Sequence, residues 1–217
     1  MRSDSDIQQD VEEELRSDPN LDAVDIGVAV KNGIVTLTGF TKTYADKFEA
    51  EAAAKRIVGV LGVANDIQVR LPGEERPDPD IAREAAAAIK TRLPFAAEHI
   101  RAIVKNGWIT LEGEVEWDYQ RKEAERAVHH ISGIKGVTNL IQLKPQNVAT
   151  AEIKRKIEEA FRRSAEIDAS RITVEANGGE VILRGRVRTW AERREAERAA
   201  WAAPGVVSVK NEIVISP

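Results

Sequence analysis

The chain has 217 residues, 32 Lys and Arg against 36 Asp and Glu, a formal net charge of −4 and no cysteine. The missing cysteines exclude disulfides, thiolate nucleophiles and thiolate metal sites, and they fit a reducing compartment. A content of 42% hydrophobic and 31% charged residues is that of a globular chain, and no apolar run reaches the roughly 18 residues of a membrane-spanning helix. The start, MRSDSDIQQDVEEE, is acidic and lacks the basic-then-apolar order of a secretory leader. Export by that route is therefore not expected, and the cytoplasm is the expected compartment.

The first predicted element is a helix, because Ile7, Val11 and Leu15 recur every four residues and share one face. Ile26, Val28 and Val30 then alternate as a strand does, Asn32-Gly33 offers the two positive-φ positions of a tight turn, and Val35 and Leu37 continue a second strand. A second helix carries the stripe Ala50, Ala53, Ala54 and Ile57, whose small side chains suit close approach to a sheet. Gly59 stops it, and a closing strand puts Val63, Ile67 and Val69 on one side. Asn65 shares that side by parity, and its expected role is to hydrogen-bond loop backbone.

The same order then returns twice. VKNGIVTLTG at 30–39 reappears as VKNGWITLEG at 104–113 and, more loosely, as ANGGEVILRG at 176–185. The offsets that carry Gly39 onto Gly113 and Gly185 also carry Asn65 onto Asn139 and Asn211, and Gly59 onto Gly133 and Gly205. The second copy has Ile81, Ala85 and Ile89 on its first helix, Asn106-Gly107 at its turn, and Ala124, Ala127, Val128 and Ile131 on its second helix. The third has Ile153, Ile157 and Phe161, then Gly178-Gly179, then Ala196, Ala199, Ala200 and Ala203. The fold class expected is α+β, as three tandem α-β-β-α-β modules over 1–72, 78–145 and 149–217. Each is a small three-stranded mixed sheet covered by two helices. The linkers LPGEERPDPD and KPQNVATAE are too short for wide separation, so neighbours are expected to touch.

Charge is unevenly divided: 8 Lys and Arg stand against 15 Asp and Glu over residues 1–75, 11 against 10 over 76–147, and 13 against 11 over 148–217. Such asymmetry argues against a nucleic-acid binder using all three copies alike. The sharpest local feature is TWAERREAERAAWAAPG in the third copy. Helical geometry returns Trp201 to within about 20° of Trp190, well away from the alanine stripe, so both are expected off the core with Arg194 and Arg198 beside them. An aromatic and cationic face suits an anionic phospholipid surface, or a protein partner or second copy packed against it. Trp117 and Tyr119, with Arg121 and Lys122, make a weaker version in the second copy, and Trp108 is expected to be partly exposed. His129 and His130 point about 100° apart on a helix, which spoils joint metal ligation. No catalytic residue, metal ligand or cofactor is expected.

The pattern V-x-L-x-G, an alanine-rich charged helix, then G-V-x-x-V-x-N-x-I resembles the BON-domain family. It stands here as VTLTG with GVLGVANDI, ITLEG with GIKGVTNLI, and VILRG with GVVSVKNEI, in which Ser208 replaces the middle glycine. The resemblance covers nearly the whole chain and extends to a triple-module, leaderless subgroup. It implies phospholipid binding and osmotic or general stress, with no enzymatic role. For a chain without a leader, it implies lipid contact at the inner face of the cytoplasmic membrane.

Overall fold

The computed structural model describes residues 2–19, 21–23, 25–70, 73, 75–165 and 167–216. Leu71, Pro72 and Glu74, where the first expected module boundary falls, lie outside them, as do Met1 and Pro217. The order α-β-β-α-β is present three times. The first repeat has α1 (Asp4–Ser17), β1 (Ile26–Lys31), β2 (Ile34–Thr41), α2 (Tyr44–Ala54), β3 (Gly62–Asn65) and β4 (Gln68–Val69). The second has α3 (Asp78–Arg92), β5 (Ile100–Lys105), β6 (Trp108–Val115), α4 (Asp118–Val128), β7 (Gly136–Asn139) and β8 (Gln142–Leu143). The third has α5 (Thr150–Arg163), β9 (Ile172–Asn177), β10 (Glu180–Val187), α6 (Trp190–Trp201) and β11 (Ser208–Ile215).

In each sheet the first strand runs antiparallel to the second, and the closing strand runs parallel to it. The closing strand is continuous in the third repeat. In the first two it is broken after Asn65 and Asn139, but both pieces keep one register along the central strand, from Ile34↔Gly62 to Thr41↔Val69 and from Trp108↔Gly136 to Val115↔Leu143. The periodic helix positions are the buried ones: Ile7, Val11 and Leu15, then Ile81, Ala85 and Ile89, then Ile153, Ile157 and Phe161 are each at most 2% exposed. The alanines of α2 and α6 press on the inner face of the central strand, where Val35, Leu37 and Leu183 are fully covered. Both helices of a module lie on that one face. The other face of each sheet carries the alternate residues of its strands.

Two devices fix each frame. The first is at the hairpin turn, where Asn32 and Asn106 take φ of 53° and 54°. The Asp4 carboxylate, at the start of α1, accepts from the Asn32 and Gly33 amides at 2.7 and 2.9 Å. Asp78 repeats this at 2.7 and 2.8 Å on Asn106 and Gly107, and Thr150 Oγ1 accepts from Gly178 N–H at 3.1 Å. Each first helix is thereby tied to its own turn. The second device is the glycine ending the central-strand motif. Gly39, Gly113 and Gly185 have φ of 112°, 134° and 145°. A Cβ on them would fall 1.9, 1.9 and 2.0 Å from the carbonyl oxygens of Asp25, His99 and Arg171. No side chain fits there.

The Cα packing divides the chain into two compact units, Met1–Gly113 with Gln120–Ile141, and Glu114–Tyr119 with Gln142–Pro217. Within the first unit the expected touching of neighbouring modules is found: the His129 ring, in the turn after α4, lies 4.5 Å from the Phe48 ring and 5.4 Å from the Tyr44 ring of α2.

The glycine geometry ranks two substitutions. Gly113→Ala meets backbone and is expected to cost more than about 3 kcal/mol, whereas Gly178→Ala, with open space around it, costs only the left-handed backbone penalty of about 1 kcal/mol. Urea unfolding of the two variants checks the order.

Candidate functional site

Thr189 caps α6 by accepting from the Glu192 amide, which sets the direction of the face on which Trp190, Arg194, Arg198 and Trp201 were expected together. Trp190 is half-buried, with its indole nitrogen covered. The guanidinium over its ring, 5.2 Å from the centroid, belongs to Arg193. Trp201 is also half-buried and packs against the third module's own core. That differs from the off-core expectation. The residue direction is tangential to the alanine stripe, and a side chain as long as indole at the last turn reaches back over the core edge. Arg198 is exposed and holds Glu195 at 2.5 and 2.6 Å, a contact that keeps the Glu195 carboxyl below its ordinary range. Arg194 is exposed.

In the second module Tyr119 is 60% exposed, while Trp117, Arg121 and Lys122 are half-buried and Asp118 is buried. Arg121 stands at the repeat position of Lys47 and Arg193, and there the cation has a structural task. Lys47 Nζ donates to the Ile67 carbonyl at 2.7 Å, and Arg193 donates through Nε to Ile213 O at 3.1 Å and through Nη2 to Asn211 O at 2.9 Å. Sequence reasoning missed this trio, although a cation at one repeat offset in all three copies was the available signal.

The three asparagines, expected to hydrogen-bond loop backbone, reach the second helix as well. Asn65 Nδ2 donates to Lys47 O and the Glu51 carboxylate at 3.0 and 3.2 Å, while its Oδ1 accepts from Ile67 N–H at 3.3 Å. Asn139 and Asn211 repeat these contacts on Arg121, Glu125 and Ile141, and on Arg193, Glu197 and Ile213.

The topology brings a second missed group together. In the third module α5 starts at the hairpin turn, so its last residues, Arg162 and Arg163, lie at the opposite end. The central strand β10 also runs from the turn to that end, where Arg186 and Arg188 leave it. All four are exposed. Among the described residues no carboxylate forms an ion pair with any of their guanidinium groups. The repeat positions of Arg186 and Arg188 are held by Phe40 and Lys42 in the first module and by Glu114 and Glu116 in the second. The sequence signal was R-V-R at the strand exit, visible only once α5 and β10 are known to end together.

His129 is buried and His130 is exposed. His129 Nε2 lies 3.7 Å from Glu125 Oε1, beyond hydrogen-bond range, so the attraction is that of an ion pair when the imidazole is charged. The Glu125 carboxyl is held below its ordinary range by His129 first and then by Asn139, with burial opposing both. A carboxyl depressed on folding stabilises fully above its ordinary value of 4.5, and that contribution is lost as pH falls through the folded value. Glu125→Gln is therefore expected to flatten the acid limb of a stability–pH curve between about pH 3 and 5. On the third module, Trp201→Ala is expected to cost about 2–3 kcal/mol in urea unfolding, and Arg194→Ala less than about 0.5 kcal/mol.

Known proteins were compared with the chain. The family model described as "BON domain" matches residues 3–70, 77–145 and 149–217. "Osmotically-inducible protein Y" of Escherichia coli (strain K12) is 28% identical over 147 residues, which cover 65% of this chain and 73% of that protein. Among solved structures, CdsD, a structural protein of the Type III secretion system of Chlamydia trachomatis, aligns over 98% of this chain and 93% of its own at 16% identity and a TM-score of 0.29. The C-terminal domain of CdsD aligns over 100% of both chains at 14% identity and a TM-score of 0.28. With the repeat found three times over almost its full length, the chain is a member of the BON-domain family.

Proposed function

We propose that the protein is a non-catalytic binding protein of the osmotic stress response that docks on an anionic phospholipid surface through the arginine-rich end of its third module. The observation that carries this reading is the convergence of Arg162, Arg163, Arg186 and Arg188 from two elements at one end of that module. Arg194 extends the cationic surface along α6. Each Lys or Arg close to an anionic bilayer contributes about 1 kcal/mol, so four free guanidinium groups are enough for reversible docking even in a chain of net charge −4. Similarity to an osmotically inducible protein supports the stress setting. The contact belongs to the inner face of the cytoplasmic membrane, a compartment that the cysteine-free composition fits.

A protein scaffold without lipid is the second reading. It is favoured by Trp201, whose place on the module core takes it out of the exposed aromatic face expected of α6.

Co-sedimentation separates the two. The full chain is expected to pellet with phosphatidylglycerol-containing vesicles at low salt and to stay in solution with phosphatidylcholine alone. Arg186→Glu with Arg188→Glu is expected to weaken pelleting by about tenfold or more. A wild-type chain that remains in the supernatant at low salt with anionic vesicles removes the lipid reading and leaves the scaffold.

A further inference from the structure

The face of each sheet turned away from the helices differs among the repeats more than any other part of the frame. In the third module it neutralises itself: Arg184 bridges Glu175 and Glu212 at 2.5 and 2.7 Å, and Lys210 pairs with Glu212 at 2.6 Å. In the first module it is nearly flat. Gly27, Ala29, Thr38 and Ala64 are exposed there, Thr36 is half-buried between them, Ile34 stands at the turn end opposite the exposed Lys31, and Arg70 lies over the Phe40 ring at the other end. Asp25 and Asp66, both exposed, continue the same alternation at the far end.

The second module presents the reverse. Trp108, Ile103 and Leu140 rise from its outward face at 49, 49 and 54% exposure, and Arg101 and Lys105 are exposed along its outer strand with Glu112 opposite Arg101. Trp108 is held in place: its ring lies over Gly136, where a Cβ would come within 2.6 Å, and its Nε1 donates to Thr138 Oγ1 at 2.9 Å. An aromatic anchor fixed before contact loses little freedom on binding, which is the property of an interface hot spot.

We propose that the outward sheet face of the second module docks on the outward sheet face of the first module of a second copy of this chain. Shape and charge both point there. Three projecting apolar side chains meet a field of Gly, Ala and Thr, and Arg101 and Lys105 meet a face that carries Asp25 and Asp66 beside Lys31 and Arg70, on a module that holds 15 acidic against 8 basic residues up to position 75. A self-contact between two copies of either face lacks this match, setting knob on knob or flat face on flat face. A three-stranded face about 14 Å wide and 20 Å long covers roughly 300 Å². One contact is thus smaller than a standard interface, so association is weak, and reciprocal use by two copies closes a dimer.

The test is sedimentation velocity of the full chain over about 10–200 µM, a range suited to weak association. The wild type is expected to rise above monomer mass with concentration. Trp108→Ala and Ala29→Arg, each alone, are expected to weaken this by about tenfold or more, with Ile103→Glu as a second knob variant should Trp108→Ala fail to fold. Mixing Trp108→Ala with Ala29→Arg leaves one intact face of each kind and thus one of the two contacts, so the mixture is expected to associate more than either variant alone and less than the wild type. A monomeric wild type across the range overturns the proposal. So does self-association that survives in Trp108→Ala and Ile103→Glu, or a mixture that associates no more than either variant alone.

Discussion

One carboxamide per repeat, that of Asn65, Asn139 or Asn211, joins the second helix to the closing strand, and the rest of each module is arranged around it. Its nitrogen holds a helix carbonyl and a helix carboxylate, and its oxygen holds a strand amide. Each hydrogen bond is worth about 1 kcal/mol net, but an unmet polar group at this half-buried site costs more, so the three contacts stand or fall together. The cation at the position of Lys47 and Arg193 adds bonds to carbonyls of the same strand. A module of some 70 residues has little core to spare, and this polar seam supplements it.

Because helix, turn and strand are pinned by short-range polar contacts and by a glycine that admits no side chain, the exterior is released from structural duty. Equivalent positions diverge accordingly. Phe40, Glu114 and Arg186 occupy one site of the frame in three chemistries. Ile34, Trp108 and Glu180 occupy another. The result is one scaffold with an acidic, flat first copy, a second copy bearing a fixed indole, and a third with an arginine-rich end.

The contact between the first two modules is aromatic and ionisable at once. His129 is enclosed by Phe48 and Tyr44 with Glu125 nearby. Burial raises the Tyr44 hydroxyl above its ordinary range, and Glu125 adds to that effect. The seam therefore combines apolar contact with a carboxylate that prefers to stay charged.

The repeat order, both helices of every module and the hairpins were legible in the sequence, whereas the helix contacts of the asparagines were not. Each legible feature is written in local periodicity or in a residue type that one backbone conformation demands. Helical arithmetic also located Trp190 and Trp201 on one side of α6, but it could not say how far that side stands from the core. Only the packed module placed Trp201 against the core, laid Arg193 over Trp190, and brought Arg162 and Arg163 to the strand exit occupied by Arg186 and Arg188. Direction around an element is fixed by bonds a few residues long. Depth and proximity are fixed by contacts between segments far apart in the chain, and these exist only once the sheet and its two helices have closed on each other.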